Sequence, residues 1–218
     1  KSREFTGPSN KPWKLNSLKG LAIDAQLYIY QGKYREFSFS KTTAPATLQR
    51  DRFSLHADVG NFYDGTSTLL FQGTIVPEKS QITLRKGLIQ MQKVALGKAL
   101  YDFTKERQYA GTADLMVDMS GTFTNNADIP TKLNGIWNVN IVDGLYPAFL
   151  SNEDSNLRNT FSLASANGVI ERGVIVSNNF ILSGPMVDMS GKGWLNMGNN
   201  EMDMTVSVTF AKVPTVPV

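Results

Sequence analysis

Thr160–Phe210, TFSLASANGVIERGVIVSNNFILSGPMVDMSGKGWLNMGNNEMDMTVSVTF, reads as one meander of short strands that closes on an unbroken alternation. From Met202 to Phe210 each even position is apolar (Met202, Met204, Val206, Val208, Phe210), while Asp203, Thr205, Ser207 and Thr209 between them are polar. Successive side chains of a strand point to opposite faces, so this segment predicts one oily wall and one wet wall.

The same period runs through the rest of the chain. Leu21, Ile23, Ala25, Leu27 and Ile29 alternate with Ala22, Asp24, Gln26, Tyr28 and Tyr30, predicting a strand that turns at Gln31-Gly32 into a second strand over Tyr34–Ser40. Phe53–Val59 and Thr66–Ile75, joined at Asp64-Gly65, predict a hairpin, and Gln81–Leu84 a further strand. One helix is expected over Lys93–Gln108, where Leu96, Ala99, Leu100 and Phe103 fall at helical spacing with Lys105 and Arg107 near the carboxyl end. A single apolar stripe suits a helix docked on the end or face of the sheet, because a lone helix of this length is marginal in water.

Strands resume at Ala113–Gly121, at Ile136–Val142 with Leu133 before it, and at Val169–Ser177, Phe180–Met189, Gly193–Met197 and Met202–Phe210. Asn134-Gly135, Asp143-Gly144, Asn167-Gly168 and Gly198-Asn199-Asn200 serve as turn signals, with a helical turn at Pro147–Leu150 before a polar loop at Ser151–Arg158. The hexapeptide MVDMSG occurs twice, at Met116–Gly121 and Met186–Gly191. Its separation exceeds the ~20 to 50 residues of solenoid repeats, so it predicts two strands built alike, with apolar side chains on one side, Asp and Ser on the other, and a glycine at a bend. The fold expected is mainly β with one substantial helix, antiparallel meanders forming a curved sheet, open half-barrel or groove. Residues 1–14 read as a loose leader, 15–212 as one domain with a candidate seam near Tyr109, and 213–218 as a tail.

Composition narrows the function. The 218 residues carry a net charge of +3, with +6 in the first fifty and −3 in the remainder, and lysines scattered without stacking aromatics make no phosphate-tracking groove for nucleic acid. With no cysteine there is no disulfide framework, thiol nucleophile or cysteine-bound zinc. No apolar run reaches the ~18 to 20 residues that span a bilayer as a helix. Lys1 is not an initiator methionine, so a longer protein with its export signal or anchor beyond this sequence is expected.

Catalytic constellations are weak. The one histidine, His56, stands beside Asp58 without a second histidine or a cysteine, too little for a metal site. Asp114 with Asp118, and Glu201 with Asp203, share strand faces at spacings that glycoside hydrolysis could use, but acids on the wet face of an amphipathic strand are what solubility requires. There is no G-x-S-x-G elbow, and Gly191-Lys192-Gly193 joins strand to strand, leaving no helix terminus to face a phosphate. No catalytic residue, metal or cofactor is expected.

The order of features resembles the C-terminal region of the AsmA family over roughly Leu18–Phe210. The likeness is carried by the helix Val94–Lys105, then AGTADLMVDMSGTFTN, LNGIWNVNIVDGLYPAFL and VIERGVIVSNNFILSGPMVDMSGKGWLNM, with Gly111, Leu133 with Gly135, Asp143-Gly144, and Gly191 with Gly193 as its signposts. The resemblance implies a periplasmic module of a Gram-negative envelope protein anchored in the inner membrane, linked to outer-membrane assembly and to lipid carried along an apolar β-lined groove. Its implied partners are phospholipid or lipopolysaccharide and other envelope proteins, with the membrane anchor outside this sequence. The chain departs from the family in lacking the amino-terminal anchor and in being far shorter than the bridge-like members.

Such a function needs no reacting group, since acyl chains leave water through apolar burial at roughly 25 cal/mol per Å². The lining candidates are Trp137, Val139 and Ile141 on one strand and Met202, Met204, Val206, Val208 and Phe210 on another. Methionine fills irregular gaps, and Met116, Met119, Met186, Met189, Met202 and Met204 lie on three predicted strands, although the same residues would equally pack an ordinary core. The alternative is a β-sandwich binding or adhesion module that recognises carbohydrate or a protein partner through Tyr28, Tyr30, Tyr34 and Trp13.

Overall fold

The structure, a computed structural model, describes residues 9–105, 109–145 and 160–210. Eleven strands lie side by side in chain order: β1 (Ile23–Tyr34), β2 (Phe37–Gln49), β3 (Arg52–Phe62), β4 (Gly65–Val76), β5 (Gln81–Ala95), β6 (Ala110–Phe123), β7 (Asn134–Leu145), β8 (Thr160–Glu171), β9 (Val174–Ser183), β10 (Val187–Asn196) and β11 (Glu201–Phe210). Each pairs antiparallel with its neighbours in sequence, and the meander does not close into a barrel. Helix α1 (Leu96–Thr104) joins β5 to β6, and the single turn α2 (Ile129–Lys132) precedes β7. Among the described residues there is one sheet, so the two packed layers of a sandwich are not formed.

Strands are longer than the turn signals predict. Gln31-Gly32, Asp143-Gly144 and Asn167-Gly168 lie inside β1, β7 and β8, and Asn134-Gly135 opens β7. Such dipeptides mark tolerance of positive φ, which a strand can also spend on a bulge: Lys93 and Asp143 take φ of 55° and 51° where the register shifts in β5 and β7, and Lys41 takes 53° within β2 with its register unbroken. The tight hairpins instead use Tyr63-Asp64 (φ 49° and 67°) and Arg172-Gly173 (φ 49° and 80°), the two left-handed residues that match the twist of the flanking strands. Gly184-Pro185 breaks the expected Phe180–Met189 strand in two, since proline has no N–H for the ladder. Pro147–Leu150 and Ser151–Arg158 lie outside the described residues.

The helix begins at Leu96, not Lys93, because Val94 and Ala95 remain paired with Ala113 and Thr112 of β6. These two pairs also carry the sheet past the candidate seam near Tyr109. Part of the predicted loose leader is docked: the Trp13 N–H donates to Thr124 O at 3.0 Å, its indole N–H to Asn126 Oδ1 at 2.9 Å, and Ala127 N–H to Ser9 O at 3.3 Å. Trp13 is therefore a packing residue and not an exposed recognition aromatic.

Direct partners in an antiparallel ladder share a face, so the register assigns every strand. Leu27, Ala44, Ala57, Leu69, Ile89, Val117, Trp137 and Gly168 follow one another from β1 to β8 on one side. The same side continues through Ser177, Gly193 and Met204 to β11. This is the apolar face; the other carries Asp24, His56, Asp58, Gln90, Asp118, Lys192 and Asp203. Two clusters cover opposite ends of the apolar face. Val59, Phe62 and Val94 pack with Phe37, Phe39, Tyr63 and Met91 beneath Ala99 of α1. At the other end Phe123, Leu133 and Ile170 gather Leu84, Val117, Met119, Trp137 and Trp13.

Both copies of MVDMSG are used alike. Val117 and Met119 on β6, like Val187 and Met189 on β10, share the apolar face, and each Asp and Ser points to the wet one. The closing glycines sit where a side chain has no room: a Cβ would fall 2.3 Å from the Phe123 ring at Gly121 and 2.6 Å from Thr205 O at Gly191.

Candidate functional site

The eight predicted lining residues all lie on the apolar face, but in different settings. Trp137, Val139 and Ile141 are half-buried in the middle of the sheet. On β11 the apolar side is open, with Met202 64% and Phe210 68% exposed.

Between these two groups the face is hollow. Trp137 on β7 is followed across the sheet by Gly168 on β8, Ser177 on β9 and Gly193 on β10, and then by Met204 on β11. Three small residues in one cross-strand row leave a bare floor. Ala166, Ile175, Phe180, Leu195, Met202 and Met204 rise around it with Trp137, and Lys192 and Trp194 border it on β10. The trough has a volume of about 210 Å³ and an almost wholly apolar lining. That is below the ~300 Å³ at which compact small-molecule pockets begin, so it suits part of a long apolar chain better than a whole compact ligand.

Gly168 leaves room for the indole of Trp137 and for the neighbouring strand: a Cβ there would meet the Trp137 Nε1 at 3.1 Å and crowd the Val176 carbonyl oxygen. The indole N–H is buried and finds no acceptor among the described residues. Burying a donor unpaired costs roughly 1–3 kcal/mol, which the ring's apolar contacts must offset.

The floor is not recognisable from sequence. Gly193 stands out there as a signpost, but Gly168 and Ser177 join it only through the register, which a bulge between Gly191 and Gly193 shifts. Phe180, Ile175 and Leu195 escape notice as walls for the same reason.

Larger hollows lie elsewhere. One of about 560 Å³ beside α1 is lined by Lys33, Asn61, Tyr63, Asp64 and Lys98. Its charges are already matched, with Lys98 Nζ on Asp64 Oδ2 at 2.5 Å. The Tyr63 hydroxyl donates to Asp102 Oδ2 at 2.5 Å and accepts from Ser38 N–H at 3.2 Å. Burial, reinforced by the Asp102 bond, pushes the Tyr63 phenol above its ordinary range. These contacts tie α1 to the β2 and β3 ends.

At the opposite end Asp128 is the organiser. Its Oδ2 accepts from Thr124 N–H at 2.6 Å and from the Thr124 hydroxyl at 2.7 Å, while Oδ1 meets Lys132 Nζ at 2.7 Å. The Lys132 bond, helped by the Thr124 donors, holds this carboxyl down at about 2 in spite of burial. The residues singled out for catalysis sit on the wet face. His56 Nε2 is 3.2 Å from Asp58 Oδ1, both exposed, and Asp114 Oδ1 accepts from Lys93 N–H at 2.7 Å. Among the described residues no three His, Cys, Asp or Glu side chains converge on a metal position, and no helix is long and apolar enough to cross a membrane.

Compared with family models, curated proteins and solved structures, the chain matches none.

Proposed function

We propose that the apolar face receives the acyl chains of a lipid and that the chain is a non-enzymatic, AsmA-like module of the bacterial envelope, working in the periplasm on phospholipid or lipopolysaccharide. The observation that carries this reading is the trough floored by Gly168, Ser177 and Gly193, continuous with the exposed apolar side of β11. A contiguous apolar surface beside a concavity is what a water-soluble β sheet ordinarily avoids, and it marks a binding surface. Each methylene moved from water onto it contributes ~0.8 kcal/mol, so eight would supply about 6 kcal/mol without any polar contact. Flexible Met202 and Met204 at the rim adapt to chains of differing shape.

Lipid extraction from the purified protein followed by mass spectrometry tests this. Co-purifying diacyl lipid is the expected result, with Met204→Asp and Leu195→Asp retaining much less. A protein free of lipid that also fails to quench its tryptophans with brominated phospholipid would remove the proposal.

A further inference from the structure

We propose that β11 is a docking edge for a second copy of this chain, joined antiparallel, β11 to β11, about a two-fold axis normal to the sheet. On one side β11 pairs with β10 through ten consecutive partners without a bulge, and among the described residues nothing pairs its other side. All ten of its residues are exposed. Half of its backbone N–H and C=O groups therefore point outward as a template for another strand. The usual protections are missing, for β11 contains no proline, lysine or arginine and no charge on its apolar side. The opposite edge, β1, is guarded by Lys33 and loosened by Gly32.

Topology selects the occupant. Eleven is an odd number, so β1 and β11 run in the same direction. A copy added head to tail with its apolar face on the same side would lay its β1 parallel to β11, unlike every pair in this sheet, and would leave a fresh edge to polymerise. Rotated by half a turn about the sheet normal, the copy presents β11 instead, antiparallel, and the assembly closes as a dimer.

Charge selects the same arrangement. Glu201 and Asp203 both lie at the start of β11, so parallel β11 strands would set acid against acid. With Val206 on the axis of the antiparallel pair, Asp203 faces Thr209 of the other copy, Phe210 faces Met202, and Met204 faces Val208. A slip of one residue would set each of these apolar side chains against a polar one, and a slip of two would leave one of the five apolar residues without a partner inside the strand, so the register centred on Val206 is favoured. The contact joins two apolar faces into one but is made by backbone groups and owes nothing to a bound lipid, so it stands apart from the lipid reading.

The chain has no cysteine, so Val206→Cys reports without background. Paired Cα atoms across antiparallel strands lie ~4.5–5.5 Å apart, inside the ~4.4–6.8 Å that a disulfide spans. Light scattering of the delipidated protein at micromolar concentration is expected to give twice 24.1 kDa. Mild oxidation should convert Val206→Cys to a covalent dimer and nothing larger, and leave Tyr28→Cys, on the far edge, monomeric. Val206→Lys should weaken dimerisation by more than roughly tenfold, with an unchanged far-ultraviolet spectrum because β11 lies outside the packed clusters. A monomer at every concentration without a Val206→Cys cross-link, a ladder of higher oligomers, equal cross-linking at Tyr28→Cys, or a Val206→Lys dimer of undiminished affinity would each overturn the proposal.

Discussion

Val94 on β5, turned to that side by the bulge at Lys93, and Val206 on β11 face the same side of the sheet, yet one is 5% exposed and the other 41%. Val94 has a strand on either side and α1 above it, where Ala99 packs on the Val59, Phe62 and Val94 cluster. Val206 has a neighbour on one side, the side-chain-free Gly191, and no helix above it among the described residues. Alternation assigns a residue to a side, whereas burial requires something to lie on that side. One region of the apolar face is thus core, and the other is surface of the same composition.

Truncating one phenylalanine in each region tells core from surface. Phe62→Ala, which removes a ring packed 6.0 Å from Phe37 and 4.9 Å from Tyr63, should cost ~3–5 kcal/mol in urea unfolding. An effect below ~1 kcal/mol would mean that the end under α1 is no more a core than β11 is.

Next in size is the opposite cap. Because the Asp128 carboxyl is held near 2, below its ordinary 3.8, its contribution is present above pH ~4 and is lost as pH falls through about 2. On the order of 1–2 kcal/mol is at stake once solvent screening is allowed for. Unfolding curves from pH 6 to pH 2 should show the gap between wild type and Asp128→Asn narrowing across that window. A gap that stays constant would place the cap's stability elsewhere.

Tyr63→Phe should cost about 1 kcal/mol by removing the hydroxyl between Asp102 and Ser38. Amide exchange should then quicken in α1 and the β2–β3 ends while β8–β11 are unmoved. Quickening throughout the sheet would show that the two regions unfold as one unit.

The smallest effect is expected at Phe210→Ala, within ~0.5 kcal/mol of wild type in stability. The same substitution should reduce retained lipid, separating what the residue does for the fold from what it does for a guest. A stability loss matching that of Phe62→Ala would contradict the exposure of β11.

Much of the architecture is legible in the sequence because alternation is a local property. The wet and oily sides of Leu21–Ile29, Phe53–Val59 and Met202–Phe210 need no partner to be assigned, and neither does the matched sidedness of the two MVDMSG strands. Strand ends are not legible. Asp143-Gly144 reads identically whether its left-handed residue makes a turn or a bulge, and Val94 joins a helix by propensity and a strand by pairing. Of the site, the walls Trp137, Met202 and Met204 are visible as apolar residues in strands. Its floor is not, because Gly168, Ser177 and Gly193 become neighbours only when three strands are in register.

Side-chain period and turn chemistry act over a few residues, and they are enough to specify an all-antiparallel, amphipathic meander with one docked helix. Which oily residues are sealed and which remain open is decided by long-range placement: α1 over Val94, Trp13 and Leu133 over Phe123, and nothing described over Met204. Burial is a relation between distant segments, and no local pattern encodes it.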